Sequence, residues 1–360
     1  MIAYGKRFRK TFSSGNSVSS IREVARLASV SPTTVSRVLN GKGSGHVAAA
    51  TRQRVVEAAE TLEYRPSAAA RALVGGRTQT VGIHSCRVLY TSFFMHLVQL
   101  TQEIVQKYGL HLLLVPGSDE RDLPDLLRER RVDALIWARY PVERADELVE
   151  AIAAPHQVVI GIGSIDRRCP VRASAAYWDH RDGISLGVEH LAGLGHERMA
   201  YLPGAEIGRK LWPDMVEAFE AATAELGVVG EVLTAKSEVD NFAAGMEVAS
   251  RALELRPTPT ALITRNDDIA IGALHGLAQA GVSVPGGMSV VGYNDLPIAT
   301  YCTPPLTTIH IPYAEAVTAV LPAVLERLAE GSVGEQGERI CSGFKTRLVV
   351  RGTTGPPSVA

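Results

Sequence analysis

The sequence predicts two unlike parts, a small all-α N-terminal headpiece and a long α/β body made of two doubly wound lobes. Three observations predict this. Residues 1–77 carry 13 Lys/Arg against four Glu, a net of +9, while the rest carries 24 basic and 34 acidic residues, a net of −10. Two short, capped helical patterns stand before residue 40. From residue 78 to 352 apolar strands alternate with helices, the pattern of parallel sheets covered on both faces.

At 360 residues the chain is too long for one ordinary core, and 46% hydrophobic content with 21% charge is that of a folded protein. No apolar run reaches the ~18–20 residues of a membrane span. No apolar signal-peptide core follows Lys6, Arg7, Arg9 and Lys10, so the expected compartment is the cytoplasm and no membrane partner is expected. Cys86, Cys169, Cys302 and Cys341 lack CxxC or zinc spacing, so neither a metal site nor a disulfide framework is expected.

Residues 1–18 are basic, rich in Ser and Gly and without periodicity, and are expected to be a disordered arm. Ser20 and Glu23 fit a capping box, and Ile21, Val24, Ala25 and Ala28 form one apolar helical face. After the tight turn at Ser29-Val30, Ser31-Pro32 opens a second helix with a capping Ser and Pro at its first position. Val35, Val38 and Leu39 form its inner face, Thr33, Thr34, Ser36 and Arg37 its outer one, and Asn40-Gly41 its end. Two short helices so joined read as helix-turn-helix. Small side chains let the second helix approach a groove, and Arg37 can grip a guanine edge or a phosphate. A third helix, Thr51 to Leu62, closes the core through Val55, Ala58, Ala59 and Leu62. A basic module of this kind points to double-stranded DNA as partner.

Pro66 stops the upstream helix, Ser67 can cap a short helix from Ala68 to Leu73, and Gly75-Gly76 ends it. A helix this short is marginal alone, so the segment reads either as a linker or as a conditional element. In the body, strands are expected at Thr80–Ser85, Leu110–Val115, Asp133–Ala138, Val158–Ile162, Ala173–Tyr177, Arg198–Leu202, Ala261–Thr264 and Ser289–Tyr293. Helices are expected at Phe93–Tyr108, Leu123–Arg130, Ala145–Ala153, Gly183–Gly195, Asp214–Gly227, Ala243–Leu255 and Ile269–Gly281. Ligand chemistry in such lobes belongs at the carboxyl ends of the strands.

Ile21-Arg22-Glu23-Val24-Ala25, the run Val30 to Asn40, Thr51-Arg52 and Tyr64-Arg65-Pro66 closely resemble the headpiece of lac repressor family regulators. The resemblance continues through His190-Leu191, Leu194-Gly195-His196, Asn266-Asp267, Val290 to Tyr293 and Thr303 to Ile309. It implies a helix-turn-helix domain over residues 19–65, a hinge helix and linker over 66–77, a periplasmic-binding-protein-like effector and dimerisation domain over 78–352, and a tail over 353–360. It implies a homodimer on a pseudo-palindromic operator, with repression modulated by a small molecule in the cleft between the lobes. No heptad follows Gly352, so a dimer and not a tetramer is expected. The implied DNA-contacting set is Ser31, Thr33, Thr34, Ser36, Arg37 and Asn40, joined by Ser67, Ala70, Arg71 and Leu73 from the hinge helix. Leu73 stands where relatives wedge a Leu between base pairs in the minor groove.

The headpiece departs little from the family: Ser29 replaces the usual Gly, and Ala48 replaces a capping Ser. The effector set departs more. The candidates are Phe93, Phe94, Arg209, Asp240, Asn266, Asp267 and Asn294. Gly161-Ile162-Gly163 stands where an Asp is common, and Pro213-Asp214-Met215 where a helix often begins with Arg. The expectation is therefore an effector that is not an ordinary hexose but has a different polarity, or a weakened response to any small molecule. The alternatives are a solute-binding protein, or a regulator answering to a hexose. No dinucleotide fingerprint, Walker A loop, Gly-x-Ser-x-Gly elbow or HExxH occurs, so no catalytic residue and no cofactor are expected.

Overall fold

The computed structural model describes residues 19–39, 47–66, 76–86, 91–117, 123–138, 146–154, 156–164, 173–236, 241–330 and 340–358. The chain divides into two compact units, Met1–Thr78 and Gln79–Ala360.

In the first unit, α1 (Ile21–Leu27) starts with the capping box: Ser20 Oγ accepts the Glu23 N–H, and the Glu23 carboxylate accepts the Ser20 N–H at 2.7 Å. Those bonds hold the Glu23 carboxyl below its ordinary pKa. Ser29 turns the chain at φ 56°, a left-handed conformation that suits Gly better. In α2 (Pro32–Leu39), Ser31 Oγ accepts the Thr34 N–H at 3.1 Å. α3 (Ala49–Thr61) starts two residues earlier than expected, and its Ala48 cap makes no side-chain hydrogen bond. Val24, Ala25, Ala28, Val35, Val55, Ala58 and Ala59 form the buried core, with Val38, Leu39, Leu62 and Tyr64 packed around it.

The second unit opens with β1 (Thr80–Cys86), α4 (Ser92–Lys107), β2 (His111–Gly117), α5 (Leu123–Arg128), β3 (Ala134–Ala138), α6 (Asp146–Val149), β4 (Val158–Ser164) and β5 (Ser174–Trp178). The helix expected over Ala145–Ala153 is thus only one turn where it is described. Gln157 Oε1 accepts the Ala153 and Ala154 N–H groups, diverting them from helical pairing. The second series is α7 (His180–Gly193), β6 (Arg198–Ala205), α8 (Glu206–Leu211), α9 (Pro213–Glu225), β7 (Val229–Ala235), α10 (Asn241–Glu254), β8 (Ala261–Thr264), α11 (Asp267–Gln279), β9 (Ser289–Asn294) and β10 (Thr307–His310). Then come α12 (Tyr313–Glu330), β11 (Cys341–Phe344) and β12 (Arg347–Val349).

Two six-stranded sheets result, ordered β11-β5-β4-β3-β1-β2 and β12-β10-β9-β8-β6-β7. Every pairing is parallel except β10 with β12. β4 and β9 are buried along their whole length, as central parallel strands should be. The chain passes between sheets three times: after β5, after β10, and across the short link from β11 to β12. In each sheet the strand order reverses beside the first strand, placing switch points between β1 and β3 and between β6 and β8. Sequence patterning missed α8, β7 and, after β9, β10, α12, β11 and β12. β7 is a sheet edge whose first three residues are exposed, so it has no apolar run to announce it.

Candidate functional site

On α2, Val35 is buried while Thr33 and Arg37, one turn apart, are exposed on the same helix. The Ser31 and Thr34 hydroxyls lie 2.9 Å apart and are engaged at the helix start. Ser36 is half-buried. The expected contacts Asn40, Ser67, Ala70, Arg71 and Leu73, and the arm 1–18, lie outside the described residues.

A cavity opens in the body at the carboxyl ends of the strands from both sheets. Its empty volume is about 750 Å³, including its open mouth. Ser85 from β1, Ala138 from β3, and Ile162, Gly163 and Ser164 from β4 line one side, with Thr91, Phe93, Phe94 and Leu97 from the start of α4 and Trp178 from β5. Trp212, Met215, Arg265, Asn266, Tyr293 and Asn294 line the other, with His180 at the start of α7 and Ile311 in a crossover.

Arg265 is the single permanently charged side chain among the described lining residues. Its Nε donates to the Pro203 carbonyl at 2.6 Å, one terminal nitrogen donates to Asn241 Oδ1 at 3.1 Å, and its guanidinium carbon sits 4.4 Å from the centre of the Trp212 ring. The strand serves this arrangement. β6 shifts register between Tyr201 and Gly204, and Gly204 takes φ +86°, a conformation that favours glycine.

His180 Nδ1 lies 2.8 Å from the Tyr293 hydroxyl. Burial, and then the Arg265 charge, push the His180 pKa down to about 3, so the imidazole is neutral at physiological pH. Burial drives the Tyr293 hydroxyl well above its ordinary value. Asn266 caps α11 by accepting the Ile269 N–H at 2.8 Å. Asp267 is fully buried but turned away from the cavity: Oδ1 accepts the Thr308 hydroxyl at 2.6 Å and Oδ2 the Leu296 N–H at 2.7 Å. Burial raises its pKa to about 7 against the pull of those two bonds. A Cβ on Gly292 would stand 2.4 Å from Asp267 Oδ1, so only glycine leaves room for this carboxyl. Asp268 accepts the Ser92 N–H at 3.2 Å, a bond from the second lobe to the first.

Of the expected effector residues, Phe93, Phe94, Asn266 and Asn294 meet in the lining. Asp267 does not line it, because its oxygens are held by Thr308 and Leu296. Arg209 does not either: it lies exposed on α8, and the cavity's cation is Arg265. Asp240 lies outside the described residues. Sequence reading passed over Arg265, Trp178, Trp212, His180 and Tyr293. Their signal was positional, since Arg265, Trp178 and Tyr293 stand at or just past the ends of apolar strands. Among the described residues no cluster of three or more His, Cys, Asp or Glu is placed to hold a metal, and no helix is long and apolar enough to cross a membrane.

Residues 20–67 match the lacI family of bacterial regulatory proteins, and residues 188–354 match the periplasmic binding protein-like domain. The HTH-type transcriptional regulator AscG of Escherichia coli (strain K12) is 33% identical over 318 residues, covering 86% of this chain and 92% of that protein. The chain belongs to the lacI family. This lacI family regulator is also 29% identical to the HTH-type transcriptional repressor PurR of Vibrio vulnificus (strain CMCP6), covering 93% of this chain and 98% of PurR. Its fold matches the crystal structure of the lac repressor dimer bound to operator and the anti-inducer ONPF, with a TM-score of 0.76, 25% identity, and coverage of 94% of this chain and 100% of that one. It is a DNA-binding transcriptional regulator with an effector-binding domain. The solute-binding-protein and ordinary-hexose alternatives are not favoured. The headpiece matches regulators, and no carboxylate lines the cavity among its described residues.

Proposed function

We propose that this regulator represses transcription as a homodimer on a pseudo-palindromic, double-stranded operator, and that a small molecule in the cavity between its two sheets changes that affinity. Residues 19–65 form the reading module, 66–77 the hinge helix and linker, and 78–352 the effector and dimerisation domain. The observation that carries the DNA half is α2, which buries Val35 and leaves Thr33 and Arg37 exposed. Ser31, Thr34 and Ser36 set the depth of its approach, with Asn40 at its end. Ser67, Ala70, Arg71 and Leu73 supply the minor-groove contacts. Such a protein works where the DNA is, in the cytoplasm. It acts by binding, with no catalytic step.

A second copy of the chain fits the apolar residues the body leaves exposed. Leu113 and Leu114 on edge strand β2, Met95 on α4 and Tyr301 are all substantially exposed. Exposed apolar side chains beside the open edge of a strand invite pairing. The lac repressor structure it resembles is itself described as a dimer bound to operator.

Selection of bound sequences from random DNA tests the reading, followed by gel shift at several salt concentrations. A palindrome should emerge, with affinity falling steeply as salt rises. Leu73→Ala should reduce operator affinity far more than affinity for random DNA. Equal losses on both would return residues 67–73 to the role of a linker. Recovery of an asymmetric site, or of no site, would remove the dimeric reading.

A further inference from the structure

If a small molecule occupies the cavity, as proposed above, the lining selects its chemical class. Three lining side chains, Arg265, Trp178 and Asn266, offer donors. Arg265 is donor-only and permanently charged. The Trp178 indole N–H is buried and has no hydrogen-bond partner among the described residues, and Trp178 as a whole is 3% exposed. Asn266 commits its carbonyl oxygen to the Ile269 N–H, which leaves its NH₂ as the end able to serve a ligand. Thr91 Oγ1 already accepts the Phe94 N–H at 3.4 Å.

No carboxylate lines the cavity among its described residues, and the acceptors it keeps are neutral, the hydroxyls of Ser85 and Ser164 and the Asn294 amide oxygen. Asp267 accepts from Thr308 and Leu296, and Asp268 from Ser92. A sugar carries an O–H on nearly every carbon and needs acceptors for those hydrogens. Without a carboxylate to take them in pairs, buried hydroxyls beyond the reach of those few neutral acceptors lose their hydrogen bonds to water with no replacement. A carboxylate makes the opposite demand: it accepts only, and is best met by charged and neutral donors together. The walls are flat and apolar, with rings from Phe93, Phe94, Trp178, Trp212 and Tyr293. Arg265, Trp178 and His180 line the same cavity. The Trp178 and His180 ring centres are 6.2 Å apart, and the Arg265 charge reaches the same imidazole.

We infer that the ligand is an organic anion, a carboxylate on a flat aromatic body, with Arg265 taking its charge, Trp178 Nε1 and Asn266 supplying neutral donors, and the surrounding rings stacking on its body. Trp212 holds Arg265 in place by lying under its guanidinium.

Calorimetry on the full chain tests this with benzoate, phenylacetate and indole-3-acetate, each against its neutral amide, and with ribose and glucose. At least one acid should saturate the protein at least tenfold more tightly than its amide, and Arg265→Gln should erase that preference. Binding of no acid, equal binding of acid and amide, or tighter binding of either sugar than of every acid overturns the inference. The comparison of acid with amide uses the unmodified chain, so it stands even if Arg265→Gln folds poorly. Gel shift on the selected operator separates the two levels. An acid that binds with the expected preference but leaves operator affinity unchanged sinks the effector reading and leaves the ligand class standing. A sugar that binds and shifts operator affinity does the reverse.

Discussion

The two walls of the cavity are built from the same part of the same kind of lobe, yet they carry different chemistry. The first lobe offers Phe93, Phe94, Leu97, Ile162 and Trp178, with the hydroxyls of Ser85, Thr91 and Ser164. The second offers Arg265, Asn266 and Asn294 beside Trp212, Met215 and Tyr293. Strand order is equivalent in both sheets, so backbone topology cannot be the source of the difference. It arises at the residues just past the strands. β8 ends into Arg265-Asn266, whereas β4 ends in Ile162-Gly163-Ser164. One wall therefore excludes water and the other reads charge. Strengthening of Coulombic contacts by a dry neighbour is what makes the pairing useful.

The largest effect should come from the dry wall. Phe94→Ala removes a fully packed ring and should cost about 3–5 kcal/mol of stability, read by urea denaturation of the body. A cost below ~1 kcal/mol would mean that this wall is not a packed core and that the contrast is overstated. On the other side, Thr308→Val takes away the hydroxyl donor at Asp267 Oδ1 and should cost about 1–3 kcal/mol. Its effect on ligand affinity should be small, since Asp267 does not line the cavity.

Two buried groups on this side, Asp267 behind the wall and His180 in it, have pKa values shifted in opposite directions. The folded-state pKa of Asp267 is raised from 3.8 to about 7, so its contribution to stability is fully present below 3.8 and is lost as pH rises through about 7. That of His180 is lowered from 6.5 to about 3, so its contribution is present above 6.5 and is lost as pH falls toward about 3. The two slopes oppose one another across the window they share. His180→Asn should leave a body that gains stability as pH falls from about 7 to 4, and Asp267→Asn one that loses it below about 6.5. Thermal denaturation across that range reads both, and parallel profiles for the two variants would contradict the assignment. The smallest effect belongs to the headpiece, remote from either wall in chemistry. Ala48→Ser supplies the cap that α3 lacks and should add about 1 kcal/mol to an isolated headpiece or to its local unfolding step.

Much of the fold was legible in the sequence because it rests on local signals. Ser20 with Glu23, Ser31 with Pro32, and the periodic Val24, Val35 and Val55 each fix an element without reference to distant residues. The central strands were equally plain, since burial on both faces forces unbroken apolar runs. The edge strand β7 was not, because an edge has one exposed flank and need not be apolar. The cavity was legible only in part. Phe93, Phe94, Asn266 and Asn294 follow from motif position. The exchange of Arg209 for Arg265 depends on a bulge near Gly204 and on a ring from Trp212, two features that lie well upstream of Arg265 in the chain. A pattern along one dimension does not carry that contact. Asp267 misled for a related reason: its carboxyl looks like a ligand contact in the sequence, and Thr308, 41 residues later, holds it inside.

The placement of the tryptophans has a practical consequence. The chain has three, and two of them, Trp178 and Trp212, line the cavity, while Trp137 lies 5.6 Å from the His84 ring. Intrinsic fluorescence is therefore weighted toward the very surface a ligand would cover. A molecule entering the cavity changes the surroundings of two indoles at once, and the emission band of the unlabelled protein becomes a direct optical gauge of occupancy.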